Sequence, residues 1–372
     1  MTATAGVYEE ITGAELLPRI VRVEANLYAA VFSLMKLVPA RYILRRAKAS
    51  GELEPGTVIV ETTSGTFGLA LAMEAALLDR EIILVSDPVI DAGMRRKLQG
   101  LGARVEIVRE SAEKGGYQAA RLDRLSELRS TLINSYCPEQ YSNPDNPGSY
   151  GLVADYVTEA LGTVDCVVGT VGSGGSMCGT VRALRSSTPH TWAVGVDTHG
   201  SSIFGRPDGP RLLRGLGNSL LPPNVRHEIF DEVHWCTAAE AYSVTRWAYR
   251  RRALFQGPTS GAALLAARWW ARRNPDALCL AILPDAGNRY LDTVYNDSWI
   301  HDQGITLAPP RDEPVELSHP AEPSTEWAKC AWRRRDLRTV LNGQAVHTGN
   351  AHPVAVAHRT ESAAGLDRRP RS

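Results

Sequence analysis

Lysine is almost absent from this chain: five occur, at positions 36, 48, 97, 114 and 329, against thirty-six arginines. Few amines therefore compete for any role that needs one. Net charge is missing as well, because 41 basic and 41 acidic residues cancel. Without a global field the chain is not built to hold nucleic acid or an anionic membrane, so any anion site has to be local. The six cysteines (Cys137, Cys166, Cys178, Cys236, Cys279, Cys330) include no CxxC pair, and most sit in apolar runs where a thiol behaves as a small hydrophobe. A reduced, cytoplasmic setting is expected, with no metal centre. Long apolar runs are also lacking. Leu27 to Met35 spans nine residues, about half of the ~20 that cross a bilayer, and the acidic start MTATAGVYEEIT has no secretory pattern. No membrane association is expected.

What is present is an ordinary globular balance, 44% apolar and 22% charged over 372 residues, enough to bury a core and to form two domains. From Thr57 a β-branched run, a turn and a helical stretch recur. Thr57 to Glu61 leads into Phe67 to Leu78, Glu81 to Ser86 into Asp91 to Leu101, and Arg104 to Val108 into Gly116 to Leu128. A second series begins at Val164, with runs at Cys166 to Val171, Trp192 to Asp197, Val233 to Cys236 and Leu278 to Leu283. This alternation predicts an α/β fold of two doubly wound parallel sheets. Between the series, YSNPDNPGSY (Tyr141 to Tyr150) carries turn dipeptides and marks a domain boundary. After about Pro309 the periodicity stops; a disordered tail is expected there, with a short helix between Trp327 and Trp332 that could dock on a partner.

Lys36 stands alone in LYAAVFSLMKLVPA, with no other charge between Glu24 and Arg41. The other four lysines lie among charges, in a polar loop or in the tail, and read as solvated. Burial lowers a lysine pKa and frees the amine for Schiff-base chemistry; a lysine snorkelling from an apolar helix is the other reading. Pro39 is tolerated in a first helical turn, which puts Lys36 at a helix start. Downstream, the strand Val167 to Val171 is followed by Gly172, Ser173, Gly174, Gly175 and Ser176 and then a helix. Small residues there expose N–H groups to a phosphate, although a plain tight turn would look the same. Met177 occupies the position of the third glycine of GxGxxG, and no GK[ST] lysine follows, so a nicotinamide-dependent oxidoreductase or a P-loop is a poor match. A second loop, Thr62 to Thr66, also precedes a helix and suits a small carboxylate, or an N-cap alone.

These features, followed by QGPTSGAA and ILPDAGNRYLDT in that order, resemble the cysteine synthase family of fold-type II pyridoxal 5'-phosphate (PLP) enzymes, with tryptophan synthase β-like domains, over roughly residues 10 to 300. The resemblance implies Lys36 as the Schiff-base lysine. It implies Thr66, Gly172, Ser173, Gly174, Gly175, Ser176 and Thr259 at the cofactor, with Thr259 facing the pyridine nitrogen. It implies Thr63, Ser64, Gly65, Phe67 and Gln140 at the substrate carboxylate. A larger cofactor domain (1–41 and 151–310), a smaller mobile domain (42–150), a tail (311–372) and a homodimer follow from the same likeness.

The implied reaction is β-replacement on an activated serine through an aminoacrylate, with a small-molecule amino acid and a sulfur nucleophile as partners. Arg214, in RLLRGLGNSLLP, falls where O-phosphoserine-using relatives carry an arginine; a surface arginine is the alternative. GGYQAAR, GSSIFG and YNDSWI are similar to the branch that makes N-(2-amino-2-carboxyethyl)glutamate. The overall likeness is to S-sulfocysteine synthases, which add thiosulfate to O-phosphoserine; sulfide with O-acetylserine or O-phosphoserine is a further option. Three departures stand out: Leu37-Val38 replaces an Asp-Arg pair, AAVFSLM replaces NPTGS, and Thr66 replaces an asparagine. They leave open a catalytically silent ligand-binding protein on the same fold.

Overall fold

A computed structural model describes residues 7 to 343 except 64 and 114. The chain opens with a one-turn helix, α1 (Ile11–Ala14), the hairpin β1 (Arg19–Arg22) and β2 (Leu27–Val31), and α2 (Leu37–Ala49). A smaller unit follows: β3 (Val58–Thr62), α3 (Thr66–Leu77), β4 (Ile82–Ser86), α4 (Ala92–Gly100), β5 (Arg104–Ile107), α5 (Gly116–Thr131) and β6 (Ser135–Tyr136). Helices α6 (Asp145–Ser149) and α7 (Gly151–Leu161) lead to β7 (Cys166–Thr170), α8 (Gly175–Ser187), β8 (Trp192–Thr198), β9 (Glu232–Cys236), α9 (Ala238–Arg252), α10 (Pro258–Arg273), β10 (Cys279–Leu283) and α11 (Asp297–Asp302). Last come β11 (Val315–Leu317), β12 (Ala328–Ala331) and α12 (Leu337–Leu341).

The expected α/β architecture is present as two sheets. The small one is wholly parallel, in the order β5-β4-β3-β6. Alternation along its strands sends side chains to opposite faces: Ile59 and Leu84 join α2, α3 and α4 in one core, while Val60 and Val85 pack on Leu125 and Leu128 of α5. The large sheet runs β1-β2-β10-β7-β8-β9-β12-β11, with parallel pairing from β2 through β9. Its inner strands, such as CVVGT and CLAIL, are almost wholly apolar because helices cover both faces. Val168 and Ala281 face α9 and α10, whereas Val167 and Leu280 face α7 and α8. All six cysteines are free thiols. Among the described residues, no helix is long and apolar enough to cross a membrane, and no cluster of His, Cys, Asp and Glu is placed to hold a metal.

Two expectations are corrected. YSNPDNPGSY is not all turn: Asp145–Ser149 form a helical turn, α6, which packs against both α2 and α8. Nor is the segment from 311 to 343 a disordered tail. There β12 pairs antiparallel with β9, Ala328 opposite Trp235 and Ala331 opposite Glu232, and β11 adds outside it. The stretch between Trp327 and Trp332 is thus a strand, and both indoles are fully buried. Trp332 packs 5.2 Å from Phe204 and stacks on His227, and Trp327 donates its indole N–H to His234 Nδ1 at 3.0 Å. Lys329, read as solvated, pairs with Glu232 and Glu316 at 3.3 Å each. The remainder of the expected tail, 344 to 372, lies outside the described residues, as do Ser64 and Lys114.

Candidate active site

The segment entering α2 is pinned to the end of β10: Phe32 N donates to Leu283 O at 2.9 Å and Met35 N to Pro284 O at 2.8 Å. These bonds set Lys36 at the N-cap of α2, beyond the carboxyl ends of the parallel strands, where open α/β sheets bind ligands. The residues that replace the Asp-Arg pair are both buried, Leu37 in the small unit's core and Val38 in the large one's. Lys36 is thereby fixed between two packed layers. Its Nζ has one hydrogen-bond partner, Ser173 Oγ at 3.3 Å, and no carboxylate among the described residues lies within ion-pair distance. Desolvation without a counter-charge lowers its pKa to about 8. At neutral pH about a tenth of the amine is then unprotonated, roughly two orders of magnitude more than for a solvated lysine.

Ser173 belongs to the glycine loop between β7 and α8. Gly174 has φ +86°, and a side-chain carbon there would lie 2.7 Å from the Asn224 backbone; only glycine meets both demands. A side chain at Gly175 would collide with Asn146. No described side chain caps α8, so its first N–H groups face the cleft at the positive end of a thirteen-residue helix. Asn146, fully buried on α6, donates to Gln140 O and to Ser173 Oγ, and its Oδ1 has no partner.

Thr63 and Gln140 come together at the opposite wall. Thr63 Oγ1 accepts from Gly65 N and Gly68 N, both at 3.1 Å, so this hydroxyl shapes its own loop. Glu61, buried just before it, accepts from Thr62 N at 2.7 Å and from Gln140 N at 3.2 Å. The Glu61 carboxyl joins the two loops through their backbones, and burial pushes its pKa up to about 7. The folded carboxyl thus keeps its proton to about pH 7, while an exposed one releases it near 4.5. Between those values the folded state binds more protons, so this group's contribution to stability falls as pH rises. The melting temperature of the wild type should therefore drop more between pH 5 and pH 8 than that of Glu61→Gln. Equal drops would mean that the carboxyl ionises normally.

Across the cleft, Thr259 opens α10 and its Oγ1 lies 3.4 Å from Asp285 Oδ1. Asp285 is buried, accepts from Tyr290 OH at 2.6 Å, and is raised in pKa by its burial. At the mouth stand Arg121 with Asp87 (3.4 Å), Arg211 with Asp208 (2.7 Å) and Arg289 with Asp91 (3.1 Å). Arg214 stands beside them, with no hydrogen bond or ion pair among the described residues.

One cleft of about 570 Å³ is lined by Lys36, Thr63, Gly65, Thr66, Phe67, Gln140, Gly172 to Ser176, Arg214 and Thr259. It thus collects every described residue singled out from the sequence. The sequence reading passed over Glu61, Asn146, Arg121 and Asp285. All four lay within segments that had been noted, but nothing local showed their burial.

The donor set fits PLP: an amine without a counter-charge among the described residues, a helix start that no described side chain caps, and a glycine loop where an added side chain would collide with Asn224 and Asn146. The sequence pattern of the family described as "Pyridoxal-phosphate dependent enzyme" matches residues 35–285. This chain is a member of the cysteine synthase family of PLP enzymes. Two N-(2-amino-2-carboxyethyl)-L-glutamate synthases are similar to it. The protein from Ralstonia nicotianae is 35% identical, covering 70% of this chain and 78% of its own length. That from Cupriavidus metallidurans is 33% identical, covering 70% and 79%. Among solved structures, O-acetylserine dependent cystathionine beta-synthase from Helicobacter pylori matches with TM-score 0.72 and 27% identity, over 78% of this chain and all of that one. A cysteine synthase from Entamoeba histolytica shares the fold, with TM-score 0.73, 23% identity, and 79% and 93% coverage. The PLP enzyme therefore carries out β-replacement, and the silent ligand-binding alternative falls.

Proposed function

We propose that this enzyme replaces the phosphate of O-phospho-L-serine with the amino group of L-glutamate. Arg214 carries the donor half of the proposal. It is the cleft guanidinium left unmatched while its three neighbours are each held by an aspartate, and a guanidinium grips a phosphate dianion with paired donors. The acceptor half follows the relatives, named for a product that joins a 2-amino-2-carboxyethyl unit to glutamate.

In this reading the first N–H groups of α8 hold the cofactor phosphate, Lys36 its aldehyde carbon, and Thr259 its ring nitrogen, with Thr66 alongside. Bound PLP supplies an electron sink at Cα. The Thr63 to Phe67 loop and Gln140 orient the substrate α-carboxylate. Lys36 Nζ, held by Ser173 Oγ, takes the Cα proton, inorganic phosphate departs as the Cβ–O bond breaks, and the glutamate nitrogen forms the Cβ–N bond. Lys36 then returns a proton to Cα. Thiosulfate, expected from the sequence, is the second reading, favoured because the same cationic rim suits a small dianion.

Purified enzyme is to be given O-phosphoserine or O-acetylserine with glutamate, thiosulfate or sulfide, and the products identified by mass. Equal turnover of O-acetylserine would remove the phosphate argument; faster reaction with thiosulfate would remove the glutamate one. Arg214→Ala should raise KM for O-phosphoserine by roughly 10- to 100-fold with kcat little changed, the loss of one charge-assisted contact. An unchanged KM would place the phosphate elsewhere.

A further inference from the structure

A second cleft, of about 510 Å³, opens on the outer face of the large unit between α9, the far half of α10 and the segment 307–312. Six arginines line it against one acid, Asp312. Three of the six are paired: Arg246 with Asp297, Arg268 with Glu24 at 2.7 Å, and Arg311 with Glu326. Arg250, Arg251 and Arg272 make no hydrogen bond or ion pair among the described residues. Arg246 is nine-tenths buried and sends Nε to Val294 O at 2.6 Å, yet its Nη2 has no partner. Asp312 and the three paired acids leave these six arginines two positive charges in excess, and neighbouring like charges repel unless an anion completes the site.

Apart from Ser243, the rest of the lining is apolar. Trp247, one face covered by the Arg268 guanidinium at 3.7 Å, lies with Leu307, Pro309 and Pro310 beside the arginines. We propose that this cleft binds a nucleoside di- or triphosphate, the phosphate chain on Arg250, Arg251 and Arg272 and the base against the Trp247 and proline wall. The volume lies within the range of small-molecule sites, and guanidinium forks suit adjacent phosphates better than a single carboxylate. Thr259 of the PLP cleft and Arg272 of this one are on the same helix, thirteen residues and therefore roughly 20 Å apart.

The PLP-loaded enzyme is to be titrated calorimetrically with ATP, with inorganic tripolyphosphate and with citrate, alongside the double variant Arg250→Ala/Arg272→Ala. Saturable ATP binding that weakens at least tenfold in the variant, while turnover without nucleotide and the visible cofactor absorption stay unchanged, is the expected result. The Arg250→Lys/Arg272→Lys variant should recover part of the affinity and shows that loss is not misfolding. Tripolyphosphate or citrate binding as tightly as ATP would overturn the nucleoside assignment. No saturable binding at millimolar nucleotide, or binding unchanged in the alanine variant, would overturn the site.

Discussion

Replacing Lys36 by alanine should lower the β-replacement rate by at least about a thousandfold while the protein stays folded. The magnitude follows from the two roles proposed for this one amine, covalent capture of the cofactor and proton transfer at Cα, of which the second alone supplies roughly 10²- to 10⁴-fold. Folding should survive because Nζ makes a single hydrogen bond, to Ser173, and no ion pair is lost. The pH dependence gives an independent reading. A lysine whose pKa is lowered to about 8 by desolvation gains reactive amine tenfold per unit up to that value and little beyond it. Modification of Lys36 in the cofactor-free protein by an amine-directed reagent, followed by peptide mapping across pH 6 to 10, should give a midpoint near 8. A midpoint above 10 would mean that the amine is solvated, and borohydride treatment of the PLP-loaded enzyme that left Lys36 unlabelled would remove it from the chemistry.

The second large effect is on stability. Trp332→Ala should cost about 3–5 kcal/mol, the usual loss for a large aromatic removed from a closed core. Trp332 is fully buried between Phe204 and His227, and its Nε1 donates to Arg335 O at 2.9 Å. Partial collapse is resisted because the neighbouring backbone is tied down: Trp332 N and Arg333 N donate to Asp231 O, and the Arg334 side chain reaches Asp231 Oδ1 at 2.7 Å. Urea unfolding measures the loss, and limited proteolysis should cut the variant between β11 and α12 first. A loss under 1 kcal/mol would show that this segment adds nothing to the domain it covers.

That segment also shows where reading the chain fell short. Strands of three and four residues, separated by a stretch rich in Pro, Ser and Glu, carry no usable periodicity. Their stability comes from the open edge of β9 and from the pocket awaiting Trp332, neither of which is local. Lys329 misled for the same reason, since its partner Glu232 is ninety-seven residues away. In contrast, β3 to β5 and β7 to β10 were legible within a residue or two, because each is a short β-branched or apolar run, most of them followed by turn residues and a helical stretch. Asn146 was hidden by its setting. YSNPDNPGSY favours turns, and only the packing of α6 against α2 and α8 turns it into the support beneath the glycine loop.

From the sequence alone came the α/β class, the single isolated lysine and the glycine loop, each a local property: an apolar run, a missing charge, a backbone that needs glycine. The PLP chemistry came from the order of the motifs, through their resemblance to the cysteine synthase family. Tertiary structure alone decided that Arg214 has no ion pair among the described residues while Arg121, Arg211 and Arg289 are paired, and that Glu61 joins the loops of Thr62 and Gln140. It also decided that the last described segment completes the large sheet. These are statements about which distant groups meet, and neither composition nor spacing encodes a distance between residues a hundred positions apart.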